Sequence, residues 1–413
     1  MHILLIHQAF AALDEPGGTR HHELARFLVS KGHKVTVIAS PVSYLTGRNS
    51  PPTFTENVGG RMGSKTTRDS GDGITILRAY TYRALHKSFV HRVFAFFSFM
   101  ISSFFIGLGV RNVDVVWGTS PPIFQGITAW LLARMKGVKF LFEVRDLWPD
   151  FAIAVGVLKN PTLIQLSYWL EKFLYRRADR MMVNSPGYVE HVRNRSARSV
   201  ELIPNGADPE MFNPTDTGQT FRQKKSLTDK FVVLYAGAHG ISNDLTVALD
   251  AAKLLENNEK IQFVFLGDGK EKESLIAYAK KLGLENVTFL PPVPKTEMAS
   301  ALAGANACLA ILKPLDEYKT TYPNKVFDYM AAGRPVVLAI DGVIREVVEV
   351  AGCGLFAQPG NPAALAEAVA RLAANRDESL RMGLAGRTYL ETNFSREALA
   401  GKLEKLLLAI NAS

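Results

Sequence analysis

A lysine and an aspartate three positions apart are the residues of this chain best suited to bind a phosphorylated ligand. Lys325 and Asp328 lie in the segment YPNKVFDYMAAGRPVV, where Pro323 can fix the start of a helix. At this spacing both side chains share one helix face. Lys325 could then bind the diphosphate of a nucleotide sugar while Asp328 accepts hydrogen bonds from ribose hydroxyls. A plain surface ion pair between the two residues is the alternative.

Two glycine-containing loops could add backbone donors for an anion. Gly17 and Gly18 precede one predicted helix, and Gly237, His239 and Gly240 precede another. Glycines let a phosphate approach backbone N–H groups, and a helix N-terminus adds partial positive charge. An ordinary tight turn is the alternative for each loop. Neither loop has the GxGxxG pattern, so the sequence does not support binding of NAD.

Each loop belongs to a strand–loop–helix unit. The first unit has a strand at His2–His7 and a helix at Arg20–Ser30, and the second has a strand from Phe231 and a helix at Asn243–Glu256. Such units begin doubly wound parallel sheets, which bind ligands at the carboxyl ends of their strands. We therefore predict an α/β protein with two Rossmann-like domains facing a cleft.

The turn-rich stretch PNGADPEMFNP is typical of a connection between domains. We place a first domain at residues 1–205, a second domain at 206–392 and a final helix at 393–413. The polar stretch 46–73, rich in Gly, Pro, Ser and Thr, is predicted to be a mobile surface loop.

An uncharged, phenylalanine-rich segment at residues 93–110 follows Arg92 and other basic residues. A helix of this length reaches ~27 Å, just short of the ~30 Å hydrocarbon core of a bilayer. A buried helix and an interfacial helix with a basic flank are both compatible with it, and a spanning helix is less so. The residues predicted to contact membrane or acceptor are Phe96, Phe97, Phe104, Phe105 and Arg92.

The composition narrows the class of partner. Of 413 residues, 47% are apolar and 21% charged, as in folded proteins. The net charge of +9 divides into +12 for residues 1–200 and −3 for the rest. This excess could serve nucleic acid, anionic lipid or an anionic substrate, but no zinc finger or RNP-type motif supports nucleic acid. Two isolated cysteines and a leaderless N-terminus predict a cytoplasmic protein, attached peripherally or monotopically to the inner membrane.

Seven motifs in one order carry a family resemblance: GGTR, DLWPD, LIPNGADPEMF, LYAG, FLGDGKE, YPNKVFDYMAAGRPVV and GCGLFAQPGNPAALAEAV. Together they resemble the retaining, nucleotide-sugar-dependent glycosyltransferases of the GT-B fold, family-4 type. The DLWP and PNK variants look most like bacterial enzymes that build O-antigen, capsule or exopolysaccharide units on a polyprenyl-diphosphate carrier, with N-acetylfucosamine-type transferases most similar. The resemblance implies a UDP-sugar donor, a lipid-linked saccharide acceptor and, since no DxD motif occurs, no metal cofactor. It also implies that the acceptor binds on residues 1–205, that the nucleotide sugar binds on 206–392, and that the helix at 393–413 returns to the first domain.

The sequence departs from the family pattern at three places. Of two glutamates usually eight positions apart, the second corresponds to Asp328 and the first to Thr320. The usual Arg and Lys after the second domain's first strand correspond to Ala238 and Asn243. The family's histidine near the reacting carbon aligns with Arg145, next to Asp146. The resemblance therefore assigns the diphosphate to Lys325 and the glycine loops, and leaves Glu143 and Asp146 as candidates for contacting sugar or acceptor hydroxyls.

The predicted site has two parts. Catalytic residues are Lys325, Asp328, Arg145 and Asp146. Donor-binding residues are Gly17, Gly18, Gly237, His239, Gly240, Gly267, Asp268, Leu290, Thr320, Thr321 and Asn324. The resemblance implies retention by front-face displacement, in which the leaving phosphate oxygen takes the acceptor's proton. A nucleotide-sugar epimerase or hydrolase of the same fold is one alternative, and a non-catalytic partner subunit, suggested by Thr320 and the missing cations, is another.

Overall fold

The chain divides into two compact units in the computed structural model, which describes residues 1–43, 47, 55–56, 66–68, 73–83, 89–196 and 199–412. The first unit comprises Met1–Ala12, Gly17–Pro204 and Glu397–Ser413, and the second comprises Leu13–Pro16 and Asn205–Arg396. Most of the polar stretch 46–73, predicted to be a mobile loop, lies outside the described residues.

The first unit is built on a predominantly parallel sheet. Its described strands are β1 (His2–Ile6), β2 (Lys34–Ala39), β3 (Thr55–Glu56), β4 (Thr66–Arg68), β5 (Thr75–Arg78), β6 (Val115–Ser120), β7 (Lys139–Val144), β8 (Arg180–Val183) and β9 (Val200–Leu202). Its helices up to this point are α1 (Arg20–Ser30), α2 (Phe89–Gly109), α3 (Gln125–Lys136), α4 (Asp150–Ala154), α5 (Pro161–Arg177) and α6 (Val189–Ser196). The strand order is β3-β4-β5-β2-β1-β6-β7-β8-β9, parallel except for the edge strands β3 and β4.

Helices cover both faces of this sheet because its central strands are apolar on both sides. In β1, Leu4 and Ile6 join the core under α2, α3 and α5, whereas Ile3 and Leu5 join the core under α1. This arrangement brings the carboxyl ends of β1, β6, β7 and β8 to one edge of the sheet.

The second unit repeats the architecture with a six-stranded sheet. Its strands are β10 (Phe231–Ala236), β11 (Ile261–Leu266), β12 (Val287–Leu290), β13 (Ala307–Ile311), β14 (Val336–Ala339) and β15 (Gly354–Phe356). Its helices are α7 (Gln219–Lys224), α8 (Leu245–Leu254), α9 (Lys272–Leu282), α10 (Lys295–Ala303), α11 (Asn324–Ala331), α12 (Val343–Ala351), α13 (Pro362–Ala374) and α14 (Arg376–Asn393). The strand order is β12-β11-β10-β13-β14-β15, and all neighbouring strands are parallel. The chain adds β11 and β12 on one side of β10 and the later strands on the other side. The predicted fold class, two doubly wound α/β domains, is confirmed.

The last helix, α15 (Arg396–Ala412), packs within the first unit. Leu403 and Leu407 are buried in the core beneath α1, and Glu404 pairs with His33 at 3.0 Å. Phe394 and Ser395 separate α14 from α15. Among the described residues, no helix combines the length and the hydropathy that crossing a bilayer requires.

Candidate active site

Lys325 lies at the start of α11, beside the first glycine loop of the second unit. Its ammonium is 3.9 Å from the centroid of the Tyr235 ring and only 3.1 Å from where a Cβ on Gly237 would lie. No carboxylate among the described residues pairs with it, and desolvation lowers the pKa of Lys325 to about 7. Because a desolvated cation without a counter-charge costs free energy, this position favours an anionic ligand.

Asp328 forms its ion pair elsewhere. Its Oδ1 is 2.6 Å from the Nζ of Lys295 at the start of α10, and Lys295 also lies 5.3 Å from the Phe212 ring centroid. The alternative of a Lys325–Asp328 surface ion pair is therefore wrong. Sequence reasoning missed Lys295, because 33 positions separate it from Asp328 and only the packing of α10 near α11 joins them.

Three strand ends of the second unit carry the glycine loops. Gly237 donates its N–H to the carbonyl of Leu266 at 3.0 Å, and Gly267 donates to the carbonyl of Leu290 at 3.2 Å, so both extend the strand ladders. A Cβ on Gly267 would collide with the carbonyl oxygen of Gly237. The sequence-predicted residues Gly237, Gly267 and Leu290 thus come together, at an approach that only glycine permits.

His239 is buried without a hydrogen bond to its ring. Its imidazole contacts the rings of Tyr235, Phe265 and Phe289, and neither ring nitrogen has a partner among the described residues. Desolvation, with Lys272 and Lys325 nearby, lowers the pKa of His239 to about 4, so the ring is neutral at physiological pH.

The backbone donors of this loop differ in availability. The N–H of His239 donates to the carbonyl of Asp268 at 2.8 Å, so the prediction that it is free for a phosphate is wrong. The N–H of Gly240 makes no hydrogen bond with another described residue. The carboxylate of Asp268 accepts from the N–H of Gly269 at 2.8 Å and so stabilises its own loop.

Thr320, Thr321 and Asn324 lie in the turn before α11 and at its first position. Thr320 donates its hydroxyl to the carbonyl of Glu317 at 2.6 Å, and the N–H of Thr321 donates to the carbonyl of Tyr318 at 3.1 Å. Asn324 Nδ2 lies 3.4 Å from Asp328 Oδ2, while its Oδ1 accepts from Arg396 at 3.3 Å. Of these three residues, Asn324 contacts Asp328, whereas the hydrogen bonds of Thr320 and Thr321 lie within the turn before α11.

In the first unit, a buried charge network lies at the carboxyl end of β7. Glu143 is fully buried and pairs with Arg20 at 3.2 Å and with His21 at 2.7 Å. Burial alone would raise its pKa, but Arg20 and His21 outweigh that effect and lower the pKa of Glu143 to about 2. His7 packs its ring 4.3 Å from that of His21, and burial lowers its pKa well below the usual range. Glu143 is thereby engaged in the core, and sequence reasoning missed both histidines.

Arg145 and Asp146 follow the end of β7 and differ in environment. Arg145 donates to the Thr119 hydroxyl at 2.7 Å and to the Ser120 carbonyl at 2.8 Å, which braces the end of β6. The Oδ1 of Asp146 is buried without a hydrogen bond to any described residue, and burial raises the pKa of Asp146 to about 6 despite the opposing effect of Arg145. Asp146 can therefore accept or hold a proton near neutral pH.

In the first unit, the glycine loop that contains Gly17 and Gly18 leads into α1. Gly17 has φ of 152°, and a Cβ there would lie 2.9 Å from that of Ala11. Nothing lies within 4 Å of a Cβ built on Gly18, and Gly18 is exposed. The loop is open and needs glycine only at its first position.

The predicted membrane-contact residues divide into two pairs. Phe97 and Phe105 are exposed, while Phe96 and Phe104 are partly buried, with Phe96 stacked on Phe124 at 5.7 Å. The backbone of Arg92 belongs to α2, and its side chain lies outside the described residues.

Two family descriptions match nearly the whole chain. Residues 17–206 match the glycosyl transferase 4-like domain, and residues 216–389 match the glycosyl transferases group 1. The chain is 27% identical to the glycosyltransferase WbjE of Pseudomonas aeruginosa, over 69% of this chain and 72% of that protein. It is 24% identical to WcaI of Escherichia coli K12, named as a colanic acid biosynthesis glycosyl transferase, over 77% of this chain and 78% of that protein.

The fold has solved counterparts. HepE of Anabaena, crystallised in complex with UDP-glucose, superposes with a TM-score of 0.73 at 14% sequence identity, over 99% of this chain and 100% of that one. At this identity the likeness concerns the fold.

Proposed function

Because the chain belongs to the group 1 glycosyltransferases of the GT-B fold, with a GT4-like N-terminal domain, we propose that it transfers a sugar from a UDP-sugar to a polyprenyl-diphosphate-linked saccharide. The sugar we propose is an N-acetylated amino sugar, from the likeness of the DLWP and PNK variants to transferases of that kind. The pathway we propose is the synthesis of a bacterial surface polysaccharide, since the similar protein WcaI is named as a colanic acid biosynthesis glycosyl transferase.

The observation that carries the proposal is the ammonium of Lys325. It has no carboxylate partner among the described residues and lies beside the glycine loops at the carboxyl ends of β10, β11 and β12. A diphosphate supplies the charge that this cation lacks, and HepE, of the same fold, was crystallised with UDP-glucose. We assign the diphosphate to Lys325 and the N–H of Gly240, and the ribose hydroxyls to Asp328.

The proposed reaction retains the anomeric configuration. The acceptor hydroxyl attacks the anomeric carbon from the side of the leaving group, and the bond from that carbon to the β-phosphate oxygen breaks. The departing phosphate oxygen takes the hydroxyl proton, so no protein nucleophile and no metal ion are required. The protein then contributes positioning and neutralisation of charge on the diphosphate, in which Lys325 has the main part.

Asp146 is the proposed contact for the acceptor. Its unpaired carboxylate oxygen can accept a hydrogen bond from a sugar hydroxyl, whereas Arg145 holds the loop that carries it. Since the proposed acceptor is attached to a lipid, we place the reaction at the inner face of the cytoplasmic membrane.

A thermal-shift panel tests the donor. UDP, GDP and dTDP sugars are added to the wild-type protein and to Lys325→Ala. A ligand that binds only the folded state raises the melting temperature as its concentration increases. At 100 times its dissociation constant, the ligand adds about 2.7 kcal/mol to the free energy of unfolding. We expect UDP sugars to stabilise the wild type and to lose this effect in Lys325→Ala. Stabilisation by none of the three classes would contradict the proposed function.

A further inference from the structure

The outer face of α2, α3 and α5 is a surface that sugar transfer alone does not explain. These helices cover the same side of the first unit's sheet, with α3 packed against both α2 and α5. Phe99 of α2, Leu132 of α3 and Leu174 of α5 point into one core. The opposite sides of the three helices therefore face away from the sheet in a common direction.

The outer side of α2 is an exposed apolar stripe. Its members follow one another at intervals of three or four residues, which places them on one helix face: Phe94, Phe97, Ile101, Phe105 and Leu108. Phe105 is 67% exposed and Phe94 60%. A stripe of this size in water is unusual for a helix whose other side already fills a core.

A second stripe lies on α5. Leu163, Leu166 and Trp169 recur every third residue, and Trp169 is 63% exposed. Trp169 stacks on Phe173 at 5.4 Å, and Phe173 in turn packs edge-on against Trp130 of α3 at 4.9 Å. The aromatic side chains of α5 thus continue onto α3.

Cations dominate the charge of these helices. An open hollow of about 510 Å³ on α5 is lined by Trp169, Lys172, Phe173, Arg176 and Arg177. Glu171 is the single acidic residue within the three helices; it is buried and paired with Arg195 at 3.1 Å and His191 at 2.8 Å. The outer face therefore combines aromatic and aliphatic surface with positive charge that no carboxylate of these helices balances.

We propose that this face docks on an anionic phospholipid bilayer, with the stripes of α2 and α5 at the level of the headgroups and Lys172 and Arg176 on lipid phosphates. Tryptophan and basic residues beside an apolar stripe suit the bilayer interface. A second copy of the chain fits less well, because a two-fold contact would bring like charges together. The proposal goes beyond the proposed function, since it adds α5 and holds for any donor.

Flotation with full-length protein tests the docking surface. Vesicles of phosphatidylethanolamine and phosphatidylglycerol are compared with vesicles of phosphatidylcholine alone. The variants are Phe97→Ser/Phe105→Ser on α2, Leu166→Ser/Trp169→Ser on α5 and Lys172→Gln/Arg176→Gln on α5. Leu380→Ser/Leu384→Ser on α14 is the matched control, because those leucines are equally exposed in a helix that carries acidic residues.

We expect the wild type and the α14 control to float with the anionic vesicles. Each of the three other variants should partition at least about tenfold more weakly, with an unchanged melting temperature and an unchanged thermal shift by UDP. Wild-type flotation that the α5 variants leave intact would overturn the proposal, as would equal binding to phosphatidylcholine. A wild-type dimer that the α2 or α5 variants turn into monomers would assign the face to self-association instead. A missing UDP shift with normal flotation would contradict the proposed function and leave the docking surface standing.

Discussion

Lys325 is the residue on which donor binding depends most in this account. Its pKa of about 7 lies far below the 10.5 of a free lysine, since the ammonium is desolvated and pairs with no carboxylate in the described part of the chain. Tyr235 lies beside the ammonium of Lys325, and His239 lies close by, with Lys272 and Asp268 near its ring. A bound diphosphate would stabilise the ammonium and raise its pKa again.

Donor binding should therefore take up a proton. At about pH 8 the terminal phosphate of UDP is already ionised, whereas most Lys325 in the empty site is neutral, so binding takes up nearly one proton. UDP affinity should fall by roughly tenfold per pH unit above about pH 8. Titration calorimetry in two buffers of different ionisation enthalpy measures this uptake.

Lys325→Arg is the control for proton uptake. Arginine stays charged over this pH range, so the variant should bind UDP without uptake and with affinity that varies little with pH. A binding enthalpy of the wild type that does not depend on the buffer would refute the assignment of the proton to Lys325.

The Lys295–Asp328 pair makes a separate prediction. Asp328→Ala leaves Lys295, which is 8% exposed, without its counter-charge, and should cost about 2 kcal/mol in the free energy of unfolding. Adding Lys295→Met should restore most of that stability without restoring transfer, if Asp328 also binds the ribose. Denaturant unfolding and a transfer assay on the single and double variants measure the two effects. Recovery of transfer by the double variant would show that Asp328 acts only through Lys295.

In the second unit, the glycine loop after β10 and the glycine loop after β11 lie in close contact at Gly237 and Gly267. Gly267→Ala should abolish the UDP-induced thermal shift, because its Cβ collides with the Gly237 carbonyl. Gly240→Ala is the matched control: the nearest atom to its Cβ is 3.6 Å away and its N–H remains. We expect it to keep the shift. Equal behaviour of the two variants would contradict the loop assignment.

The elements that carry the site could be predicted from local patterns. The strand–glycine loop–helix units at β1–α1 and β10–α8 were correct because each has an apolar run, a turn and an amphipathic segment within 30 residues. The segment VIREVVEVA forms α12, with a buried face made of Ile344, Val347, Val348 and Ala351. This helix is missing from the sequence-based prediction. A 3₁₀ turn at Pro186–Tyr188 precedes α6, because Pro186 lacks the N–H that an α-helix would need further along.

Contacts between distant segments could not be predicted. Lys295 with Asp328, and His21 with Glu143, are joined by helix packing and by strand order, which no local spacing encodes. The sequence could name Lys325 and Asp328 as a polar pair on one face, but it could not indicate that Asp328 turns to α10 and leaves Lys325 without a carboxylate.

The excess of positive charge in the first 200 residues can be located on particular helices. The net charge of +12 in residues 1–200 includes the cations of α3 and α5, beside the exposed stripes of α2 and α5. Flotation with anionic vesicles should weaken as salt is raised, because the electrostatic part of docking is screened. Binding that is indifferent to salt would leave the apolar stripes as the sole contact.

Acceptor-dependent transfer is the decisive measurement for the proposed function. UDP-linked N-acetylated amino sugars are incubated with a polyprenyl-diphosphate-linked saccharide, and both released UDP and the mass of the lipid-linked product are measured. We predict that UDP release requires the acceptor, that the product gains one sugar with retained anomeric configuration, and that Lys325→Ala and Asp328→Ala each lose at least about tenfold in rate, ~1.4 kcal/mol on the barrier. UDP release that is the same without acceptor, or full activity in both variants, would contradict the account.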